Sequence, residues 1–183
     1  MTLKELLISI VTEYHNRYGK FPTKTRLLKL AYLVDLFHAR KFGAPLTEGT
    51  WIYYLYGPYR HDYDSVISER PFETEDVDFA DEKTATVISM APNTDATSLP
   101  IDIRNFVVRA VFDYGGLPLR ELLDFVYFET EPMINAQERM EQLDFGRVNP
   151  DSYYKVQKLS LDPKEEARLR KKFRQSRGKT AQE

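Results

Sequence analysis

The sequence predicts a mainly helical α+β domain in which one central, buried helix packs against a small antiparallel sheet. Two observations lead to this fold class. The stretch from Lys24 to Phe42 is apolar on nearly every side of a helix, which is typical of a helix buried in a core. The segment that follows, Thr50–Tyr56, is rich in β-branched and aromatic residues, which favour a strand.

Composition limits the class of protein before any motif is considered. The chain has 183 residues, enough for one domain with a full core, and its 42% apolar and 30% charged residues are ordinary for a soluble protein. The chain contains no cysteine, which excludes disulfides, thiolate catalysis and cysteine zinc sites. No run is long enough to span a bilayer, and the N-terminus carries charges within its apolar pattern, unlike a signal peptide. We therefore expect a cytoplasmic protein without a membrane partner.

The first two helices have clear start and stop signals. Thr2 and Glu5 form a capping-box pattern at the start of the first helix, which should end at Gly19. The second helix should run from about Lys24 to Phe42 and stop at Gly43, a residue type common just after a helix.

Asp35 lies inside the apolar run of the second helix. A buried carboxylate needs a partner. That partner is most often a structural hydrogen-bond donor and less often part of a functional site.

The middle of the chain should supply the sheet. Thr50–Tyr56 reads as the first strand, Gly57-Pro58 should break it, and a short helix should follow from about Tyr59 to Glu69. Thr84–Met90 is a second strand candidate, with which Asp76–Phe79 can pair as a hairpin.

Two further helices and a helical piece are expected in the second half. Ile101–Tyr114 has helical apolar spacing and should be stopped by Gly115-Gly116. Pro118 suits the first turn of the next helix, and a further helical piece should cover roughly Met133–Gln142.

Charge is distributed unevenly along the chain. Residues 163–183 hold eight basic and three acidic residues, whereas Glu69–Glu82 holds seven acidic residues and one basic residue. We predict a domain over residues 1–150 and a basic helical extension over residues 151–183. Such charged segments are either solvated surfaces or contacts with a partner of opposite charge. For nucleic acid, the candidate contact residues are Arg168, Arg170, Lys171, Lys172, Arg174 and Arg177.

Catalytic patterns are weak. His38, His61-Asp62 and Asp64 are similar to the ligands of a metal-dependent phosphohydrolase of the HD type, whose ligands must converge from several helices. Here His61-Asp62 follows a predicted strand and a Gly-Pro turn, which is the wrong setting. The chain has no P-loop, dinucleotide-binding fingerprint or G-x-S-x-G elbow. We therefore predict no catalytic residue, no metal and no cofactor.

An aromatic cluster gives a better candidate site. Tyr, Trp and Arg dominate the energetics of protein interfaces. On a strand, residues 51, 53 and 55 share one face and residues 52, 54 and 56 share the other. We expect one face to pack on the buried helix and the other to contact a partner. The candidate partner-binding residues are Trp51, Tyr53, Tyr54, Tyr56, Tyr59, Arg60 and Tyr63.

The same segment carries a family resemblance. The positions involved are Lys29, Leu30, Tyr32, Asp35, Gly43, Pro45, Leu46, Thr47, Tyr56, Gly57, Pro58 and Tyr63. A second region comprises Leu122–Tyr127 and Thr130–Met133. In these residues the chain resembles the Panacea domain, also called the SocA-like antitoxin domain. It departs from the family at Arg60, where many members carry a second proline.

The resemblance implies a protein that acts by binding rather than by catalysis. Members of the family are antitoxins that neutralise varied protein toxins, and one also acts as a proteolytic adaptor that delivers its toxin to a protease. The implied partners are therefore a toxin from a neighbouring gene and, for an adaptor, a protease or its unfoldase. The alternative from a different class is a nucleic-acid-associated regulator that uses the basic extension.

Overall fold

The computed structural model describes residues 1–78, 84–92, 94 and 99–153 of the chain. In chain order, the elements are α1 (Leu3–Tyr18), α2 (Lys24–Phe42), β1 (Ile52–Tyr54), β2 (Gly57–Tyr59), α3 (Tyr63–Ser68), β3 (Phe72–Asp78), β4 (Thr84–Met90), α4 (Ile101–Tyr114), α5 (Leu119–Phe128), α6 (Glu131–Asn135) and a 3-10 turn (Pro150–Tyr153). The described residues form two antiparallel sheets of two strands each, β1-β2 and β3-β4. The predicted fold class, a mainly helical α+β domain, is confirmed.

The first two helices begin and end where their local signals predict. At the start of α1, the Thr2 hydroxyl accepts a hydrogen bond from the backbone N–H of Glu5, and the Glu5 carboxylate accepts one from the backbone N–H of Thr2. The helices end at Gly19 and Gly43, both in the left-handed conformation. These caps satisfy backbone groups that helix ends leave without intrahelical partners.

Helix α2 is the centre of the fold. It contacts α1, α4, α5, β2 and β4, and 13 of its 19 residues are buried. Three of the buried residues are charged: Lys29, Asp35 and Arg40. Arg40 is paired with Glu131 through a 2.6 Å ion pair. A buried charge without such a partner is unfavourable, so the surroundings of Lys29 and Asp35 need their own account.

The prediction that Gly57-Pro58 breaks the strand is wrong. These residues do not end the strand region, because they form β2 and pair with β1 in the register Ile52↔Tyr59. The chain turns one step earlier, at residues 55 and 56. Proline is tolerated in β2 because the strand lies at a sheet edge, where the missing N–H leaves no ladder bond unmade. As a result α3 begins at Tyr63 instead of Tyr59.

The second hairpin confirms the predicted pairing and extends it. Strand β4 has the predicted bounds, while β3 begins at Phe72, earlier than the expected Asp76. The backbone N–H of Ile88 in β4 donates a 2.9 Å hydrogen bond to the carbonyl of Pro22, just before α2. The side chain of Ile88 is fully buried, so this hairpin is anchored to the core by β4.

The second half of the domain is helical as predicted, except at its end. Helices α4 and α5 have the expected positions, with the stop at Gly115. Helix α6 stops at Asn135, well before the predicted Gln142. The following segment pairs with β1 instead: the backbone N–H of Tyr53 donates to the carbonyl of Glu141 at 2.9 Å. Competition from this tertiary contact explains the shorter helix.

Some predictions lie beyond the part of the chain that the structure describes. Nearly all of the basic extension, which is predicted to be helical, falls in residues 154–183, outside the described residues. The division near residue 150 therefore stays a prediction. Within the described residues, no helix combines the length and apolar character needed to cross a bilayer.

Candidate protein-binding surface

The seven residues predicted to contact a partner divide between the core and the surface. The buried ones are Trp51, Tyr53, Arg60 and Tyr63. Tyr54 and Tyr56 are exposed, at 38% and 46%, and Tyr59 is half-buried beside them. We call Tyr54, Tyr56 and Tyr59 the tyrosine surface. It is the part of the predicted set that a partner can reach.

The residues at β1 are not buried in the alternating pattern that is expected of a strand. Trp51, Ile52 and Tyr53 are all buried, although consecutive strand residues point to opposite faces. Residues 140–143 run along the outer edge of β1: the Leu143 N–H donates to the carbonyl of Trp51 and the Met140 N–H to that of Tyr53, both at 2.8 Å. This segment has no strand pattern in the sequence, so only the tertiary structure reveals that it covers β1.

The carboxylate of Asp35 is buried and accepts hydrogen bonds that have a structural role. It is 0% exposed and accepts three hydrogen bonds, from the backbone N–H of Thr47 (2.8 Å), the Thr47 hydroxyl (2.6 Å) and Nε1 of Trp51 (2.7 Å). Nη1 of Arg60 lies 4.0 Å from the carboxylate. Burial raises the pKa of Asp35, while these donors and the Arg60 charge oppose that rise. The carboxylate thus ties α2 to the loop before β1.

Arg60 is the other half of this buried network. Its guanidinium donates to the Thr47 hydroxyl at 2.6 Å, to the carbonyl of Glu48, and to both carboxylate oxygens of Asp62, at 3.0 and 2.7 Å. It therefore lies between the carboxylates of Asp35 and Asp62. A proline at this position could make none of these contacts. The departure from the family pattern consequently has a structural role: it fastens the end of the first hairpin to residues 47 and 48.

Gly49 makes room for this guanidinium, which leads to a testable expectation. Its φ is +111°, and an added Cβ would collide with Nη2 of Arg60 and lie 2.9 Å from Cζ. Gly49→Ala should therefore lower the free energy of unfolding by at least about 2 kcal/mol, from backbone strain and displacement of the guanidinium. Urea denaturation measures the change.

Gly19→Ala is the matched control. Gly19 also has a positive φ, +64°, but nothing lies within 4 Å of an added Cβ. This variant should lose only the backbone term, about 1 kcal/mol. Equal losses in the two variants would show that the contact with Arg60 contributes nothing.

The tyrosine surface is held by hydrogen bonds at its edge. The Tyr59 hydroxyl donates to Asp64 at 2.9 Å, and Nζ of Lys24 lies 2.6 Å from the other Asp64 oxygen. Burial and the Asp64 carboxylate raise the pKa of Tyr59 to about 12, so its hydroxyl stays protonated at neutral pH. The rings of Tyr54 and Tyr59 are 5.3 Å apart between centroids. Two of the three tyrosines are thus packed on each other.

A pocket of about 180 Å³ opens beside these tyrosines. The tyrosine surface, α2 and the start of α3 line it, and we call it the tyrosine pocket. Lys29, one of the lining residues, is 2% exposed, and its Nζ donates a 2.8 Å hydrogen bond to the carbonyl of Pro58. Burial lowers the pKa of Lys29 to about 7. The helical periodicity of the sequence does not indicate this pocket. Lys29 is nevertheless a signal in the sequence because, like Asp35, it is a charged residue within an apolar helix.

The residues that suggest a phosphohydrolase do not converge. Nδ1 of His38 lies 2.7 Å from the carbonyl of Ala44, Asp62 is paired with Arg60, and Asp64 is paired with Lys24. In the described ranges, no group of three or more potential ligands is placed to hold a metal ion. The basic residues proposed for nucleic acid, from Arg168 to Arg177, lie outside those ranges. That interpretation therefore stays a prediction.

The described residues define a small α+β domain whose buried Asp35 and Arg60 hold a hairpin and whose surface tyrosines surround a pocket. Comparison with protein families identifies it further. The description "Antitoxin SocA-like, Panacea domain" matches residues 27–132, more than half of the chain, and the protein belongs to this family. The matched range includes most of α2 and every residue that lines the tyrosine pocket except Lys24 and Thr25. Searches of curated proteins and of solved structures find no match.

Proposed function

We propose that this protein is an antitoxin that neutralises a protein toxin by direct binding, and that a neighbouring gene encodes the toxin. Membership of an antitoxin-like family supports a toxin as the class of partner. The observation that supports the binding site is the exposure of Tyr54 and Tyr56 on the first hairpin, next to the half-buried Tyr59 and the buried Tyr53. Tyrosines that remain accessible in this way are typical anchors of protein interfaces.

The buried hydrogen bonds beneath the tyrosine surface favour binding without rearrangement of the hairpin. The loop before the hairpin is held by Asp35 and the end of the hairpin by Arg60. The buried Tyr63 hydroxyl donates to the carbonyl of Lys24 at 2.7 Å and so fixes α3 against α2. A surface ordered in advance loses less conformational entropy on association. The same hydrogen bonds therefore position the tyrosines for a partner.

Neutralisation by binding requires no catalytic group. The carboxylates of Asp35, Asp62 and Asp64 are engaged by structural donors. We propose accordingly that the toxin is inhibited by occlusion. A proteolytic adaptor would need a second contact, with a protease or its unfoldase, and a toxin bound at the tyrosine surface leaves other faces of the domain free for it.

Co-expression tests the proposal. Each neighbouring gene is induced alone and together with the full chain, and growth and co-purification are measured. We expect one neighbour to be toxic alone, harmless with this protein and recovered with it as a complex. If no neighbour is both rescued and co-purified, the proposal is wrong.

The Tyr54→Ala, Tyr56→Ala double variant identifies the surface. Loss of interface hot spots worth about 2 kcal/mol or more weakens binding by about 30-fold or more. We expect that loss in a binding assay with the purified toxin, together with loss of rescue. Phe112→Ala is the control, because Phe112 is a 57% exposed aromatic residue on α4, outside the tyrosine surface. Equal effects of both variants would place the interface elsewhere.

A further inference from the structure

The three buried charges of α2 are not equivalent. Asp35 lies next to Arg60, and Arg40 is paired with Glu131. Lys29 is as buried as these two, yet it forms no ion pair with any described residue, and a single hydrogen bond to the carbonyl of Pro58 holds its ammonium. A buried ammonium without a counter-charge is strongly unfavourable. The folded domain therefore holds Lys29 in its charged form only at a cost in free energy, which a counter-charge would reduce.

The pocket next to Lys29 is suited to a single side chain. A cavity of about 150 Å³ can hold one benzene molecule, and the tyrosine pocket measures about 180 Å³. Leu28 and the rings of the tyrosine surface provide apolar walls. An ammonium has three N–H donors, so Lys29 has donors left after its bond to Pro58. The one carboxylate that lines the pocket, Asp64, is engaged by Lys24 and Tyr59.

We propose that the tyrosine pocket receives one glutamate side chain of the partner, whose carboxylate accepts a hydrogen bond from Nζ of Lys29. The aliphatic stem packs between Leu28 and the tyrosine rings. Glutamate suits the site better than aspartate because Nζ is buried and the longer stem reaches it. The inference rests on the proposed function for the identity of the partner as a toxin. The chemistry of the pocket rests on Lys29 and its surroundings.

Charge complementarity is what distinguishes glutamate from its neutral isostere. A hydrogen bond between an ammonium and a carboxylate is roughly twice as strong as one between neutral groups. The carboxylate also supplies the counter-charge that Lys29 lacks. Glutamine fills the same volume and supplies no charge, so the two side chains form a matched pair of probes.

The first experiment uses the full chain and no toxin. Isotope-labelled protein at about pH 6.5, where more than half of the Lys29 side chains are charged because its pKa is about 7, is titrated with N-acetyl-glutamate N-methylamide and separately with N-acetyl-glutamine N-methylamide. We expect saturable shifts of the Leu28, Tyr54 and Gly57 amide signals with the glutamate compound and at least tenfold weaker binding of the glutamine compound. Equal affinities, or no saturable shift at these residues, would overturn the inference.

Variants assign the effect to Lys29. Lys29→Met should abolish binding of the glutamate compound, while Lys20→Met, which removes an exposed lysine that does not line the pocket, should preserve it. The comparison of the two compounds on the wild-type protein remains decisive if Lys29→Met does not fold.

The second experiment uses the toxin complex obtained by co-expression. Each toxin glutamate is replaced by glutamine, and binding to the wild-type chain and to Lys29→Met is measured. One replacement should weaken binding to wild type at least tenfold and have no further effect on Lys29→Met. A complex in which no glutamate is coupled to Lys29 overturns this inference and leaves the proposed function standing. Absence of any toxin complex contradicts the proposed function, while the compound titration still decides the chemistry of the pocket.

Discussion

Replacing Asp35 with alanine is expected to lower the free energy of unfolding by about 3–5 kcal/mol, the usual loss when one member of a buried charged network is removed. The substitution leaves the Thr47 donors and Nε1 of Trp51 without an acceptor and removes the carboxylate 4.0 Å from Arg60. Urea denaturation measures the loss. Trp51 is the only tryptophan of the chain, so its fluorescence reports on this network directly.

Two comparison variants separate charge from hydrogen bonding. Asp35→Asn keeps one acceptor oxygen and loses the charge, so it should be less destabilising than Asp35→Ala. Glu48→Ala removes an exposed carboxylate from the same loop and should change stability by no more than about 0.5 kcal/mol. A loss below about 1 kcal/mol for Asp35→Ala would contradict a structural role for this carboxylate.

The free energy of unfolding is expected to rise with pH between about 7 and 10 because of Lys29. Burial lowers the pKa of this lysine from 10.5 to about 7 in the folded state. In this interval the unfolded chain holds a proton that the folded protein has released, so raising the pH favours folding. The slope for one proton approaches about 1.4 kcal/mol per pH unit.

Buried tyrosines set the upper limit of the pH interval in which the free energy of unfolding rises. Burial raises the pKa of Tyr32 and Tyr63 above the ordinary value of 10. Above that value the unfolded chain loses tyrosine protons that the folded protein keeps, so stability should fall again. A maximum near pH 10 is therefore expected for the wild-type protein.

Denaturant unfolding at about pH 7.5 and pH 9.5 tests the role of Lys29. The wild-type protein should be more stable at the higher pH, and Lys29→Met should lose most of that difference. Lys24→Met is the control, because Lys24 is a half-exposed lysine of the same helix. An unchanged pH dependence in Lys29→Met would show that another group is responsible.

Both variants also affect the proposed function. Asp35 holds the loop that precedes the hairpin, and Lys29 bonds the carbonyl of Pro58 within it. A stability measurement must therefore accompany every binding assay on them. The tyrosine variants are simpler to interpret, because Tyr54 and Tyr56 are exposed and their removal leaves the core intact.

The sequence by itself determined the helices α1, α2, α4 and α5, the strand β4 and the family. Caps such as Thr2 and Gly43, and apolar spacing along one helix, involve neighbouring residues only, and they are therefore readable in the chain. The family match likewise depends on residue types in order.

Only the tertiary structure decided which aromatic residues a partner can reach and how the buried charges are used. Trp51 and Tyr53 are covered by residues 140–143, nearly 90 positions away in the chain, and Arg60 is buried because Gly49 leaves room for it. Whether a short strand is exposed depends on distant segments that pack over it, and local patterns do not encode that packing. For the same reason, the lysine between Leu28 and Leu30 became a candidate binding group only after the hairpin was placed beside α2.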